Sequence, residues 1–102
     1  VITKNVNSAF TGTNLKEILD KNKHEVVVII GLTTDHCIST TARMSGNYGY
    51  ETYVVSDATA TFDKKSPTGE FYSSELVHSI SLLSLDNEFA KDINYENLIK
   101  KL

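Results

Sequence analysis

Short apolar runs alternate with amphipathic stretches along the whole chain. Residues 26–31 read Val-Val-Val-Ile-Ile-Gly, with five β-branched residues in succession. Such continuous apolarity is typical of a parallel strand that is covered on both faces. We therefore predict a central strand here, a second strand over residues 51–56 and a short third strand around residues 89–93.

The stretches between these strands have helical spacing. A first helix is predicted to begin near Asn14, which would cap it while Glu17 reaches back. A second helix is predicted over residues 35–46, and a third with Ser73 or Ser74 as its cap. A terminal amphipathic turn follows the last strand. Strands that alternate with helices indicate an α/β fold, in which a parallel sheet lies between two helical layers (three-layer α/β/α, Rossmann-like).

The predicted sheet is small for this architecture. Three strands would leave an open edge beside an apolar central strand. The chain also begins Val-Ile-Thr-Lys, without Met. We interpret residues 1–102 as a single partial domain, the C-terminal part of a larger one. A compact standalone domain and a strand-paired dimer are the alternatives.

Composition argues against several classes of partner and binding site. A formal charge of −3 without a basic run argues against nucleic acid as a partner. No apolar run approaches the roughly 20 residues of a membrane span, so no membrane partner is expected. The single Cys cannot form an internal disulfide, which favours a cytoplasmic setting. The three His and one Cys do not have the spacing of a metal site. The sequence also lacks a phosphate-binding glycine motif, which argues against a nucleotide-binding module.

The candidate chemistry lies at the carboxyl edge of the sheet, where ligands of such folds gather. Cys37 follows the first strand and would lie in the first turn of the second helix. Backbone N–H groups there would favour the thiolate and hold an oxyanion. A lone Cys is also commonly a small buried apolar residue. The residue types alone leave these two interpretations open.

Three ordered segments carry a family resemblance, and together they span most of the chain. They resemble the isochorismatase-like cysteine hydrolases, and the runs around Cys37 and His78 are most similar to the streptothricin-hydrolase-like branch. The segments are Lys4 with Ser8-Ala9-Phe10 and Thr13-x-Leu15, Gly31-Leu32-Thr33-Thr34-Asp35-His36-Cys37-Ile38-Ser39-Thr40-Thr41, and Gly49-Tyr50 with Val54-Val55-Ser56-Asp57-Ala58.

The resemblance implies a Cys-Lys-Asp triad. Cys37 matches the nucleophile and Lys4 the catalytic lysine. The bond between Leu32 and Thr33 matches a non-proline cis peptide, which would aim the N–H groups of Thr33 and Cys37 into an oxyanion hole. The family's aspartate lies about a hundred residues before the Cys, and this chain holds no counterpart to it. The metal ligands of the nicotinamidase branch would lie in that same absent region.

Several other residues have two candidate roles, one in the substrate site and a simpler one in the structure. Phe10, Thr34 and His36 are predicted to line the substrate site, although Phe10 also suits core packing and Thr34 a helix cap. A direct bond from His36 to Cys37 is not expected, because consecutive helical residues point about 100° apart. His24 and His78 are expected to be structural or exposed.

The predicted function is hydrolysis, without a cofactor, of a small amide, lactam, imide or vinyl ether. The chain alone is expected to show little or no turnover. The expected partners are the small-molecule substrate and either further copies of the chain or the missing N-terminal half. The alternative is a catalytically silent half-domain that acts through association with another chain.

Overall fold

The computed structural model describes all 102 residues. A five-residue π-helical turn, Thr34–Ile38, joins the first strand to the second helix; it is called the π turn below. The helices and strands, in chain order, are α1 Leu15–Lys21, β1 Val26–Leu32, α2 Ser39–Asn47, β2 Glu51–Ala60, β3 Lys64–Lys65, β4 Phe71–Tyr72, α3 Ser74–Leu85, β5 Lys91–Ile93 and α4 Tyr95–Lys101.

The main sheet has three parallel strands in the order β1-β2-β5. Its strands alternate with helices along the chain, which confirms the predicted α/β class. Between β2 and α3 lies a small antiparallel hairpin, in which β3 pairs with β4. No helix is long and apolar enough to cross a membrane.

Strand β2 is longer than predicted because it contains a bulge. Ile29 pairs with Val54, but Gly31 pairs with Thr59, so β2 advances five residues while β1 advances two. The predicted strand stopped at residue 56, because the regular alternation of side chains ends at the bulge. The bulge holds Asp57, whose carboxylate accepts a hydrogen bond from the Tyr95 N–H at 2.8 Å.

Core residues lie on both faces of the sheet. Val54 and Val55 are each 1% exposed and point to opposite faces of β2. Val54 belongs to the larger cluster under α2 and α3, whose buried members are Ile29, Ile38, Ala42, Val54, Leu82, Leu85 and Ala90. Val55 packs with Tyr53 and with Leu98 of α4 on the other face. This arrangement gives the three layers.

The prediction that β1 is central and covered on both faces is wrong for this chain. β1 lies at the edge of the sheet and pairs with β2 alone. Val26, Val28, Ile30 and Leu32 are between 41% and 63% exposed. α4 covers β2 on this face and does not reach β1, so a continuous apolar strip, called the open β1 face below, stays in contact with solvent.

The helix caps differ from one another. Ser73 caps α3, since its hydroxyl accepts the Leu76 N–H at 3.2 Å, and this prediction is confirmed. Asn14 precedes α1 but makes no side-chain cap hydrogen bond, so the predicted capping box is absent. The predicted second helix is divided into the π turn and α2.

Candidate active site

The backbone reverses sharply after β1. The peptide bond between Leu32 and Thr33 is cis. The Thr33 carbonyl then accepts the N–H groups of His36 at 3.0 Å and of Ile38 at 3.2 Å. The bond from residue 38 back to residue 33 has π-helical spacing. Cys37 therefore lies in a wide turn rather than in the first turn of an α-helix.

Cys37 and Lys4 are 33 positions apart in sequence and meet in the structure. The Lys4 ammonium donates to Cys37 Sγ at 3.3 Å and to the Val6 carbonyl at 2.9 Å. Asn7 Oδ1 lies 3.5 Å from the same sulfur and accepts from the thiol. No carboxylate is among the hydrogen-bond partners of Cys37. A cation and a carboxamide thus flank the thiol.

The sequence interpretation did not include Asn7. Its only signal is its position between Lys4 and Ser8, inside a segment that has no regular secondary structure. Periodicity carries no information in such a segment, so the direction of the Asn7 side chain follows only from the fold.

The N-terminal segment is fixed to the rest of the fold near residues 8–10. The Ala9 N–H donates to Thr41 Oγ1 on α2 at 3.0 Å. Phe10 is 6% exposed and packs edge-on against Tyr48, with ring centroids 5.3 Å apart. These contacts hold the segment beside α2 and so place Lys4 near the π turn.

The side chains of Phe10 and Thr34 are buried in this chain. Phe10 packs with Tyr48 and Tyr50, which agrees with its simpler role as a packing residue. Thr34 is 0% exposed, and its hydroxyl lies 2.7 Å from His78 Nδ1. Burial favours these structural roles, and the place of both side chains in the substrate site stays a prediction.

Asp35 links the π turn to the hairpin. Its carboxylate accepts from Lys64 Nζ at 2.8 Å and from Thr61 Oγ1 at 2.6 Å. Burial opposes ionisation of the carboxyl, but these two hydrogen bonds outweigh burial and lower the pKa of Asp35 from 3.8 to about 2. Asp35 is therefore a structural anion that ties the residue two positions before Cys37 to β3.

His36 is open to solvent next to Cys37. Its side chain is 57% exposed, and its Nε2 lies 3.1 Å from Lys64 Nζ and 3.6 Å from Asp35 Oδ2. The neutral ring accepts a hydrogen bond from Lys64, whereas a protonated ring would face Asp35. The structure gives no hydrogen bond between His36 and Cys37. No group of three or more His, Cys, Asp or Glu side chains is arranged to hold a metal ion.

Comparison with known proteins identifies the family of the chain. The isochorismatase domain family matches residues 1–84. The chain is 52% identical over 99 residues to the isochorismatase family protein YrdC of Bacillus subtilis, covering 97% of this chain and 53% of that protein. It is 32% identical over 102 residues to Nicotinamidase 3 of Arabidopsis thaliana, covering all of this chain and 46% of that protein.

A solved structure shows the same fold. The crystal structure of a cysteine hydrolase from Pseudomonas syringae superposes with a TM-score of 0.92 at 26% identity, over 98% of this chain and 47% of that one. The chain thus spans about half the length of the relatives that it matches. The matched family domain, the sequence identities and the shared fold show that the chain belongs to the isochorismatase family of hydrolases.

Proposed function

We propose that the protein works as a cysteine hydrolase of amide-type C–N bonds, with Cys37 as nucleophile and Lys4 as its catalytic lysine. The observation that carries this proposal is the 3.3 Å contact between Lys4 Nζ and Cys37 Sγ. An ammonium group at hydrogen-bond distance stabilises a thiolate, which is the reactive form of cysteine. A structural cysteine in a core would be surrounded by apolar atoms instead.

The proposed reaction has two steps. A base removes the thiol proton, and the sulfur attacks the carbonyl carbon, so that a C–S bond forms and the carbonyl electrons move to oxygen. The N–H groups of Thr33 and Cys37 are proposed to hold this oxyanion. Its collapse breaks the C–N bond, and the leaving nitrogen takes up the proton. Water then attacks the thioester, releases the acid and restores the thiol.

The substrate is proposed to be a small amide, lactam or imide. Support comes from the nicotinamidase relative and from the exposed His36, whose ring lies beside the nucleophile and can contact a bound molecule. The chemistry needs no cofactor, because nucleophile, acid and base are all side chains. A nucleophilic thiol must stay reduced, so we place the working protein in a reducing compartment such as the cytoplasm.

The base is proposed to be a carboxylate that lies outside these 102 residues. The open β1 face and the unpaired edge of β1 are where a further strand and a covering helix would fit. β1 ends in the cis peptide and the π turn, so a residue at the end of a strand paired beside it would lie near Cys37. The chain by itself should then turn over substrate slowly or not at all.

The test is ammonia release from nicotinamide and a panel of small amides. It compares the chain alone with a chimera in which the unmatched half of YrdC completes the domain. We expect turnover from the chimera, a loss of roughly a thousandfold or more in Cys37→Ser, and a loss of about a hundredfold in Lys4→Met. Lys65→Met is the matched control. Wild-type rates in Cys37→Ser would disprove the nucleophile assignment.

The open β1 face also favours a second candidate function. A half-domain could act through association alone, with its apolar strand buried against another chain. The same experiment separates the two functions. A chimera that folds but releases no ammonia from any amide would favour association, whereas turnover that depends on Cys37 would favour the hydrolase.

A further inference from the structure

His78 is a partly buried titratable residue that the proposed reaction does not use. It lies on α3, yet both of its ring nitrogens have partners on other elements. Nδ1 lies 2.7 Å from the Thr34 hydroxyl in the π turn, and Nε2 lies 3.0 Å from the Ser56 carbonyl in β2. One imidazole therefore bridges the π turn, the third helix and the central strand of the sheet.

The Ser56 carbonyl fixes the direction of both hydrogen bonds. A carbonyl oxygen can only accept, so His78 Nε2 carries a proton and donates it. In the neutral ring Nδ1 is then the acceptor, and the Thr34 hydroxyl must donate to it. Because Thr34 is 0% exposed, water cannot replace this partner.

Thr34 is well placed to control the nucleophile. It stands between the cis peptide at Leu32–Thr33 and Cys37, and it is the first residue of the π turn. A hydroxyl held in one direction at that point fixes the rotamer of Thr34 and, through the short turn, the direction of the N–H groups and of Cys37 Sγ. Asp35 anchors the outer side of the same turn through Lys64.

We propose that His78 is a positioning residue that orients the Cys37 turn, by holding the buried Thr34 hydroxyl from one ring nitrogen while the Ser56 carbonyl holds the other. His78 touches neither substrate nor reacting atoms. The inference deepens the proposed function and rests on Cys37 being the nucleophile. Protonation of the ring would remove the acceptor at Nδ1 and force the Thr34 hydroxyl to turn away.

Two carboxylates are close to His78. Glu75 is one turn before His78 on α3 and lines the same small cavity. Asp92 is on β5, where partial burial and then the charge of Asp86 raise the pKa of its carboxyl and His78 acts in the opposite direction.

The test measures alkylation of Cys37 by iodoacetamide, since it is the only cysteine in the chain. Gln at position 78 can accept from Thr34 through its oxygen and donate to Ser56 through its nitrogen. His78→Gln should therefore keep the wild-type rate, whereas His78→Leu should change it by about fivefold, the ratio that loss of the hydrogen bond to Thr34 supports. Ser81→Ala, which loses only a hydrogen bond to the Val77 carbonyl, is the control on the same helix.

Rescue by His78→Gln is a readout that a simple loss of packing at position 78 would not produce, because Gln restores both hydrogen bonds and Leu restores neither. If His78→Leu does not fold, Thr34→Val takes its place and should show the same change in rate. A wild-type rate in His78→Leu or Thr34→Val, or failure of His78→Gln to restore it, would overturn the proposal.

Alkylation also separates this inference from the proposed function. It needs no substrate and no base from outside the chain. A protein that hydrolyses no amide can still show the dependence on His78, and an active hydrolase can lack it.

Discussion

The ion pair between Asp35 and Lys64 should make the stability of the chain depend on pH in the acid range. The perturbation is Asp35→Asn, which keeps the shape of the side chain and removes its charge. The pKa of Asp35 in the folded protein is about 2, against 3.8 for the free group. A carboxyl with a lowered pKa stabilises the fold above its unfolded pKa, and that stability is lost as the pH falls through the folded value.

The magnitude follows from the two pKa values. A fall from 3.8 to about 2 corresponds to about 2 kcal/mol of stabilisation at neutral pH. The Asp35 side chain is 13% exposed, but that of Lys64 is 43% exposed, so solvent screens part of the attraction. We therefore expect Asp35→Asn to lower the free energy of unfolding by about 1 to 1.5 kcal/mol at pH 7, and less in high salt.

The assay is urea unfolding followed by circular dichroism at several pH values between 7 and 2. The difference between wild type and Asp35→Asn should be constant above about pH 5 and should shrink towards zero near pH 2. Lys64→Ala should repeat this pattern. Lys65→Ala is the control and should not repeat it, because it removes a neighbouring charge that has no ion pair with Asp35. A difference that is as large at pH 2.5 as at pH 7 would refute the electrostatic reasoning.

Two further predictions concern packing and are measured by the same unfolding assay. Leu85→Ala should cost about 2 to 5 kcal/mol, because Leu85 is 1% exposed in the main core, whereas Leu83→Ala on the same helix, at 71% exposed, should change stability by less than about 0.5 kcal/mol; equal losses would contradict the assigned core. Gly46→Ala should destabilise by about 1 to 3 kcal/mol despite the better helix propensity of Ala, because the added Cβ would lie 2.8 Å from Phe89 Cα and still closer to its carbonyl oxygen. A gain in stability there would show that α2 and the segment around Phe89 can separate easily.

The sequence predicted the positions of the strands and helices better than their burial. The run of β-branched residues marks β1 correctly, because it reflects the surfaces that the strand is suited to bury. It does not show whether the covering elements are present, and Ile30 is in fact 63% exposed. The bulge in β2 was not predicted, because alternation of apolar and polar residues detects only a regular strand, and the extra residues of the bulge do not follow that period.

The candidate site was predictable where a residue type carries its own chemistry. Cys37 was a candidate from its place after a strand, family resemblance assigned it and Lys4 their roles, and the two side chains meet in the structure. His78 was expected to be structural or exposed, and its two hydrogen bonds agree with a structural place, but its partners followed only from the fold. Asn7 was missed, because a carboxamide takes a role only from the groups that surround it. Thr34 suits a cap, a pocket or a buried hydrogen bond equally well from its residue type, so its burial could not be predicted.

The two parts of the candidate site, the π turn with Cys37 and the N-terminal segment with Lys4, differ in how firmly the fold holds them. Cys37, the proposed nucleophile, lies on a turn that is held by Asp35 to the hairpin and by His78 to the sheet. Lys4 lies on an N-terminal segment whose first seven residues are all exposed, and its contacts there are the Cys37 sulfur and the Val6 carbonyl. The proposed turnover needs both parts, together with a base. We therefore expect hydrolytic activity only when the structure that covers the open β1 face is present.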